Sequence, residues 1–118
     1  MPKVLCACRD ATYCDKLLAS FQSYPEFQLC LTLIEGFAVI KQAMEVDAAL
    51  VLLEVEPDSE NLAIAEALKL FIPKVPVFLI AERKWEFEKA ALSIGVDAVF
   101  GKDEDFNLVI ENAKAAIA

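Results

Sequence analysis

Five short apolar runs punctuate this chain, and each is followed by a stretch that suits a helix. The runs are Lys3–Cys8, Gln28–Leu33, Ala48–Leu53, Val77–Ile80 and Ala98–Phe100. Runs of this kind suit strands covered on both faces rather than strands with one side in water. Strands that lie parallel need a long crossover between them, and the helical stretches supply it. The alternation therefore predicts an α/β fold: a doubly wound five-stranded parallel sheet with helices on both faces.

The helices have readable ends. Thr12 with Asp15 three residues on reads as a capping box, opening a helix to about Phe21 or Ser23. Leu17, Leu18 and Phe21 share a face of it, and Tyr24-Pro25 ends it. The second helix is expected from Glu35 to about Met44, with Phe37, Ile40 and Met44 spaced for burial. Glu54 to Glu60 reads as a loop, and Asn61 as the cap of a third helix reaching Leu70. Trp85 to Ile94 forms the fourth, with Gly95 as its C-cap. Asp105 to Ile117 forms the fifth, with Phe106, Val109, Ile110, Ala113 and Ile117 as its buried stripe.

Length and composition bound the rest. A chain of 118 residues, 58% of them apolar, can bury a core as one domain spanning 1–118. Lys and Arg number 11 against 19 Asp and Glu, a net charge of −8 that repels nucleic acid and anionic membrane. No direct nucleic-acid binding and no membrane association are expected. Neither a signal peptide nor an apolar span is visible, so a cytoplasmic location is expected. The sequence has no His, which argues against zinc sites and triad enzymes. No enzymatic activity, cofactor or metal is expected. Cys6, Cys8, Cys14 and Cys30 read as reduced structural thiols.

In a doubly wound sheet, ligands sit outside the C-terminal ends of the strands. Those ends carry Cys8-Arg9-Asp10, Glu54, Ile80-Ala81 and Lys102. An ion pair of Arg9 with Glu54 forms more readily here than a metal site, and Lys102 can reach the same crevice. Glu54 reads equally as a solvated acid at the end of its strand and as a paired group in a pocket. Asp10 reads equally as a loop cap and as a functional acid.

The whole chain resembles the receiver domain of two-component response regulators, a flavodoxin-like unit. The resemblance rests on AALVLLEVEP, which ends strand three, and on IGVDAVFGK, which leads into Lys102. It implies a phosphoryl-accepting Asp at the end of strand three and two magnesium-binding acids after strand one. It also implies a Thr or Ser after strand four, a Lys after strand five and a mobile aromatic on strand five. Lys102 falls on the family's lysine. The acceptor position is Glu54, the acidic pair becomes Cys8-Arg9 followed by Asp10, and the hydroxyl position becomes Ile80. The aromatic position is Val99 beside Phe100, and Pro57 stands three positions after the acid where the family has four.

These departures remove the chemistry. Cys8 and Arg9 offer magnesium no oxygen, Ile80 has no hydroxyl, and an acyl phosphate on Glu54 would be displaced by one methylene. The expectation is a non-catalytic, phosphorylation-independent pseudo-receiver that signals by protein contact, alone or as the N-terminal part of a larger regulator. Its partner would be another protein or a fused output domain, with self-association left open. The longer Glu54 carboxylate also suggests an imitation of aspartyl phosphate that holds Lys102; the replaced hydroxyl and aromatic undercut it. The family's interaction face implies roles for Trp85, Leu92, Val99 and Leu108, Trp85 reading equally as a cover for its own helix. Two alternatives stand beside this: a working phosphoacceptor using Glu54 or Asp10, and a phosphocysteine carrier using Cys8. The second is similar to the carbohydrate phosphotransferase B components, although Arg9-Asp10-Ala11-Thr12 makes a poor phosphate cradle.

Overall fold

The computed structural model describes residues 2–33, 36–57 and 60–117. Five strands, β1 (Lys3–Cys8), β2 (Gln28–Leu33), β3 (Leu50–Val55), β4 (Val77–Ala81) and β5 (Ala98–Gly101), form one sheet. They alternate with α1 (Ala11–Gln22), α2 (Ala38–Glu45), α3 (Asn61–Phe71), α4 (Glu88–Ile94) and α5 (Phe106–Ile117). The strand order is β2-β1-β3-β4-β5, every neighbouring pair parallel. The chain therefore winds to one edge through β2 and returns past β1 to build the other side. The reversal falls between β1 and β3, where a crevice opens at the strand ends.

Strand parity divides the core. Leu5, Ala7, Val51, Leu53, Val77 and Leu79 face a layer completed by Val39 and Ala43 of α2, Ile64 and Leu68 of α3, and Ala91 of α4. Val4, Cys6, Cys8, Leu50, Leu52, Phe78, Ile80 and Phe100 face the opposite layer, with Leu17 and Phe21 of α1 and Val109 and Ile110 of α5. All six residues of β3 are buried. Each buried Leu or Val contributes about 1.5–3 kcal/mol, so this central strand is a large part of what holds the layers together. By parity Glu54 belongs with Leu50 and Leu52, and its side chain is directed toward the α1 and α5 layer.

Several boundaries differ from the sequence reading. β3 runs on through Glu54 and Val55, which pair with Ile80 and Ala81 of β4, so Glu54 is strand rather than the start of a loop. The remainder of that expected loop includes residues 58 and 59, outside the described residues, as is the expected start of helix two at Glu35. Thr12 does not cap α1; Asp10 does, its Oδ1 accepting from the Tyr13 N–H at 3.2 Å. Asn61 does not cap α3: Glu60 holds that position, and Asn61 is buried. Trp85 lies in a single 3-10 turn over Lys84–Glu86, ahead of α4. Gly95 is the expected C-cap, at φ 86°, the left-handed region that favours glycine.

Of the expected α2 stripe of Phe37, Ile40 and Met44, only Ile40 is half-buried and packs on the core. Phe37 is 53% and Met44 61% exposed, while Val39 and Ala43 are buried. Both stripes satisfy the helical period, so spacing cannot rank them. The smaller pair lets α2 approach the sheet closely. No helix among the described residues is long and apolar enough to cross a membrane.

The two faces of α2 give a direct check. Val39→Ala should lower stability in urea by about 2 kcal/mol, and Met44→Gln should change it by less than about 0.5 kcal/mol. The reverse order would contradict the observed face.

Candidate functional site

Glu54 is buried to 1% exposure at the C-terminal end of β3, yet it is an acid. Its partners converge from the ends of two other strands, β1 and β5. Oε1 accepts the Arg9 N–H at 2.5 Å and the Asp10 N–H at 2.8 Å, both from the turn between β1 and α1. Oε2 accepts from the ammonium of Lys102, which follows β5. The backbone of Lys102 is itself anchored, its N–H donating to the Ala81 carbonyl at 2.9 Å. Lys102 Nζ also lies 3.3 Å from Asp10 Oδ2 and 4.0 Å from Glu82 Oε2. The Tyr13 ring centroid stands 5.6 Å from the same ammonium. Beneath the acid, Asn61 Nδ2 donates to the Glu54 carbonyl at 2.7 Å.

The electrostatics follow from these contacts. Burial pushes the Glu54 carboxyl up, but the Lys102 hydrogen bond and the Asp10 and Arg9 N–H groups outweigh it and hold the carboxyl below its usual range. Burial likewise pushes Lys102 down, and the hydrogen bond and charge of Glu54, then of Asp10, raise it overall. The Asp10 carboxyl is lowered by the Tyr13 N–H first and by Lys102 second. Glu54 and Lys102 are thus both charged near neutrality, and each is the other's principal counterion.

The cysteines depart from expectation. Cys8 and Cys14 are joined by a disulfide that ties the end of β1 to α1, so only Cys6 and Cys30 are free thiols. The two bonded residues lie on β1 and α1, which pack together with a Cα–Cα separation of 6.4 Å, within bridging range. With its sulfur bonded to Cys14, Cys8 has no thiol to accept a phosphoryl group. Cys6 Sγ lies 3.3 Å from Cys8 Sγ. Burial, and then the charge of Glu54, push the Cys6 thiol up to about 12.

Of the sequence-predicted pocket residues, Asp10, Glu54 and Lys102 meet through their side chains. Arg9 contributes its N–H alone; the expected ion pair with Glu54 is absent, and among the described residues its guanidinium makes none. Ile80 is 1% exposed and registers opposite Glu54, its side chain in the same apolar layer. On the expected interaction face, Trp85 is 69%, Leu92 84% and Leu108 44% exposed. Val99 is half-buried and packs on the layer beneath α3 and α4. Trp85 and Leu92 line separate depressions that share Lys84, and Val99 lies beside Leu92.

Sequence reasoning missed Tyr13, Cys14 and Asn61. It also missed an apolar groove of about 590 Å³ lined by Phe37, Ile40, Met44 and Phe71. For the groove, the ambiguous stripe of α2 was the available signal.

The five-stranded parallel order is a flavodoxin-like, receiver-like topology. The chain is similar to a CheY-like response regulator receiver domain protein from Methanospirillum hungatei, at 15% identity and a TM-score of 0.85, over 99% of this chain and 94% of that one. A LuxR-family DNA-binding response regulator from Staphylococcus aureus matches at 15% identity and 0.84, over 100% of both chains. The BeF3-activated DrrB receiver domain matches at 16% identity and 0.79, over 99% and 97%. No protein-family model matches the chain, and no curated protein matches it in sequence.

The magnesium ion implied by this fold does not fit the residues present. It needs near-octahedral oxygen ligation. Cys8 is bonded to Cys14, Asp10 is committed to capping α1 and to Lys102, and both Glu54 oxygens already accept hydrogen bonds.

Because the folded Glu54 carboxyl lies below its ordinary value of 4.5, the stability it supplies is present above that pH and is lost as pH falls through the folded value. The Lys102 contribution is full below its ordinary 10.5 and is lost as pH rises through its raised value. Glu54→Gln should lower stability at neutral pH by about 3 kcal/mol, the cost of breaking a buried pair. It should also flatten the acid limb of stability against pH. Urea titrations across the acid range check this, and identical acid limbs in the two proteins would contradict it.

Proposed function

We propose that this chain is a non-catalytic, receiver-like signalling domain that acts by protein–protein contact and does not take a phosphoryl group by a magnesium-dependent route. The observation that carries this reading is the closed set of partners around Glu54. The acid at the acceptor position has its oxygens engaged by Arg9 N–H, Asp10 N–H and Lys102. Phosphoryl transfer to a carboxylate needs a divalent cation and donors to offset the incoming phosphoryl charge. Here the charge neutralising the carboxylate is a lysine held in place, and Ile80 offers no donor to a phosphoryl oxygen. The pocket is consistent with one fixed state rather than a phosphorylation switch.

In this reading output lies on the side carrying Trp85, Leu92, Val99 and Leu108. Exposed aromatic and leucine side chains beside α4 and β5 suit the anchors of a protein interface. The partner is a second protein, an output domain on the same chain, or a second copy. The net charge of −8 gives nucleic acid no electrostatic footing on this domain.

Two measurements test the proposal. Beryllofluoride with magnesium should leave the amide spectrum of the protein unchanged, whereas shifts centred on Glu54, Ile80 and Lys102 would mark a working acceptor. Trp85→Ala combined with Leu92→Ala should leave stability within about 0.5 kcal/mol and lower the mass of concentrated samples in sedimentation. A mass independent of concentration in both proteins would remove self-association through this face.

A further inference from the structure

Three sulfur atoms meet under the pocket. Cys6 and Cys8 are two residues apart on β1 and so share a face, and Cys14 stands on α1 against them. All three sulfurs lie within 4.8 Å of one another, and their residues are 1%, 5% and 1% exposed. The group stops at three. Cys30 registers beside Leu5 and packs in the layer on the other side of the sheet. The sequence has no His, and among the described residues no carboxylate joins the cluster.

That donor set selects its ligand. Soft thiolates select soft ions. An ion with bonds to sulfur of about 2.3 Å holds three sulfurs roughly 3.5–4 Å apart; here Cys6 Sγ stands 3.3 Å from Cys8 Sγ, and Cys14 Sγ lies within 4.8 Å of both. Zinc at a structural site needs a fourth ligand, and among the described residues none joins the three sulfurs. Monovalent copper on three thiolates would leave two negative charges in a dry site near the Glu54 carboxylate, which burial makes costly. A trivalent metalloid on three thiolates is neutral, pyramidal and complete without a fourth ligand.

We propose that Cys6, Cys8 and Cys14 form a three-thiol site for a trivalent thiophilic metalloid of the arsenite class, gated by the Cys8–Cys14 disulfide. This inference does not depend on the signalling role. Opening the gate takes two electrons and two protons: two thiols of a reductant become a disulfide, and Cys8 and Cys14 become thiols. Arsenous acid then exchanges its three hydroxyls. Three arsenic–sulfur bonds replace three arsenic–oxygen bonds, and each departing hydroxide takes one thiol proton and leaves as water. Arsenic remains trivalent, and no proton is left over.

The test uses the full chain reduced with a phosphine, which does not compete for arsenic as a dithiol would. Arsenite is titrated in, and the complex is read by native mass spectrometry and by alkylation of the remaining thiols. The expected product carries one arsenic less three hydrogens and leaves Cys30 alone open to alkylation. The oxidised protein should take up none. Cys30→Ser should behave as wild type. Cys6→Ser and Cys6→Ala, checked for folding by circular dichroism, should lose the three-hydrogen signature. No uptake by the reduced protein, or a complex short of only two hydrogens with Cys6 still alkylated, would overturn the proposal. Equal uptake by oxidised protein would overturn the gate.

Discussion

A carboxylate removed from water must find its hydrogen-bond donors and counterion within the protein, or it gives up its charge. Glu54 is 1% exposed, and the strand ends around it are arranged to meet that demand. The turn after β1 presents two consecutive N–H groups to one oxygen, and the segment after β5 brings the Lys102 ammonium to the other. Asp10 serves twice: its N–H holds Glu54, while its side chain caps α1 and shares Lys102. Asn61 fixes the Glu54 backbone from the start of α3. One acid therefore ties together β1, β3, β5 and two helix starts. The disulfide from Cys8 to Cys14 restrains the turn that supplies the two N–H groups.

This arrangement separates the fold from the chemistry that its shape suggests. The sheet order matches that of the similar receiver domains, and the side chains at its strand ends are engaged with one another. Ile80 puts hydrocarbon beside Glu54, and Lys102 is already paired. The exposed apolar residues lie elsewhere, at Trp85, Leu92 and Leu108 and around the α2 groove of Phe37 and Met44.

Much of this was legible in the sequence, for identifiable reasons. Five apolar runs with helical crossovers restrict the topology strongly, and the pairing of Glu54 with Lys102 follows from their positions at the ends of β3 and β5. What escaped was carried by less specific chemistry. The contribution of Arg9 is a backbone N–H, which every residue but proline has, so its side chain misled. The disulfide depends on the docking of α1 on β1, a tertiary fact that a six-residue spacing does not encode. Asn61 looked like a helix cap because Asn favours caps; the neighbouring carbonyl of Glu54 captured its side chain instead. On α2 two stripes met the same period, and the smaller one won the sheet.

Glu54 and Lys102 form a charged pair across the neutral range. Carbon-detected NMR titration of the Glu54 side-chain carboxyl, in wild type and in Lys102→Met, tests it most directly. The wild-type carboxyl should titrate below its ordinary 4.5 and rise when the lysine is removed. A carboxyl that titrates at its ordinary value in both proteins would contradict the account.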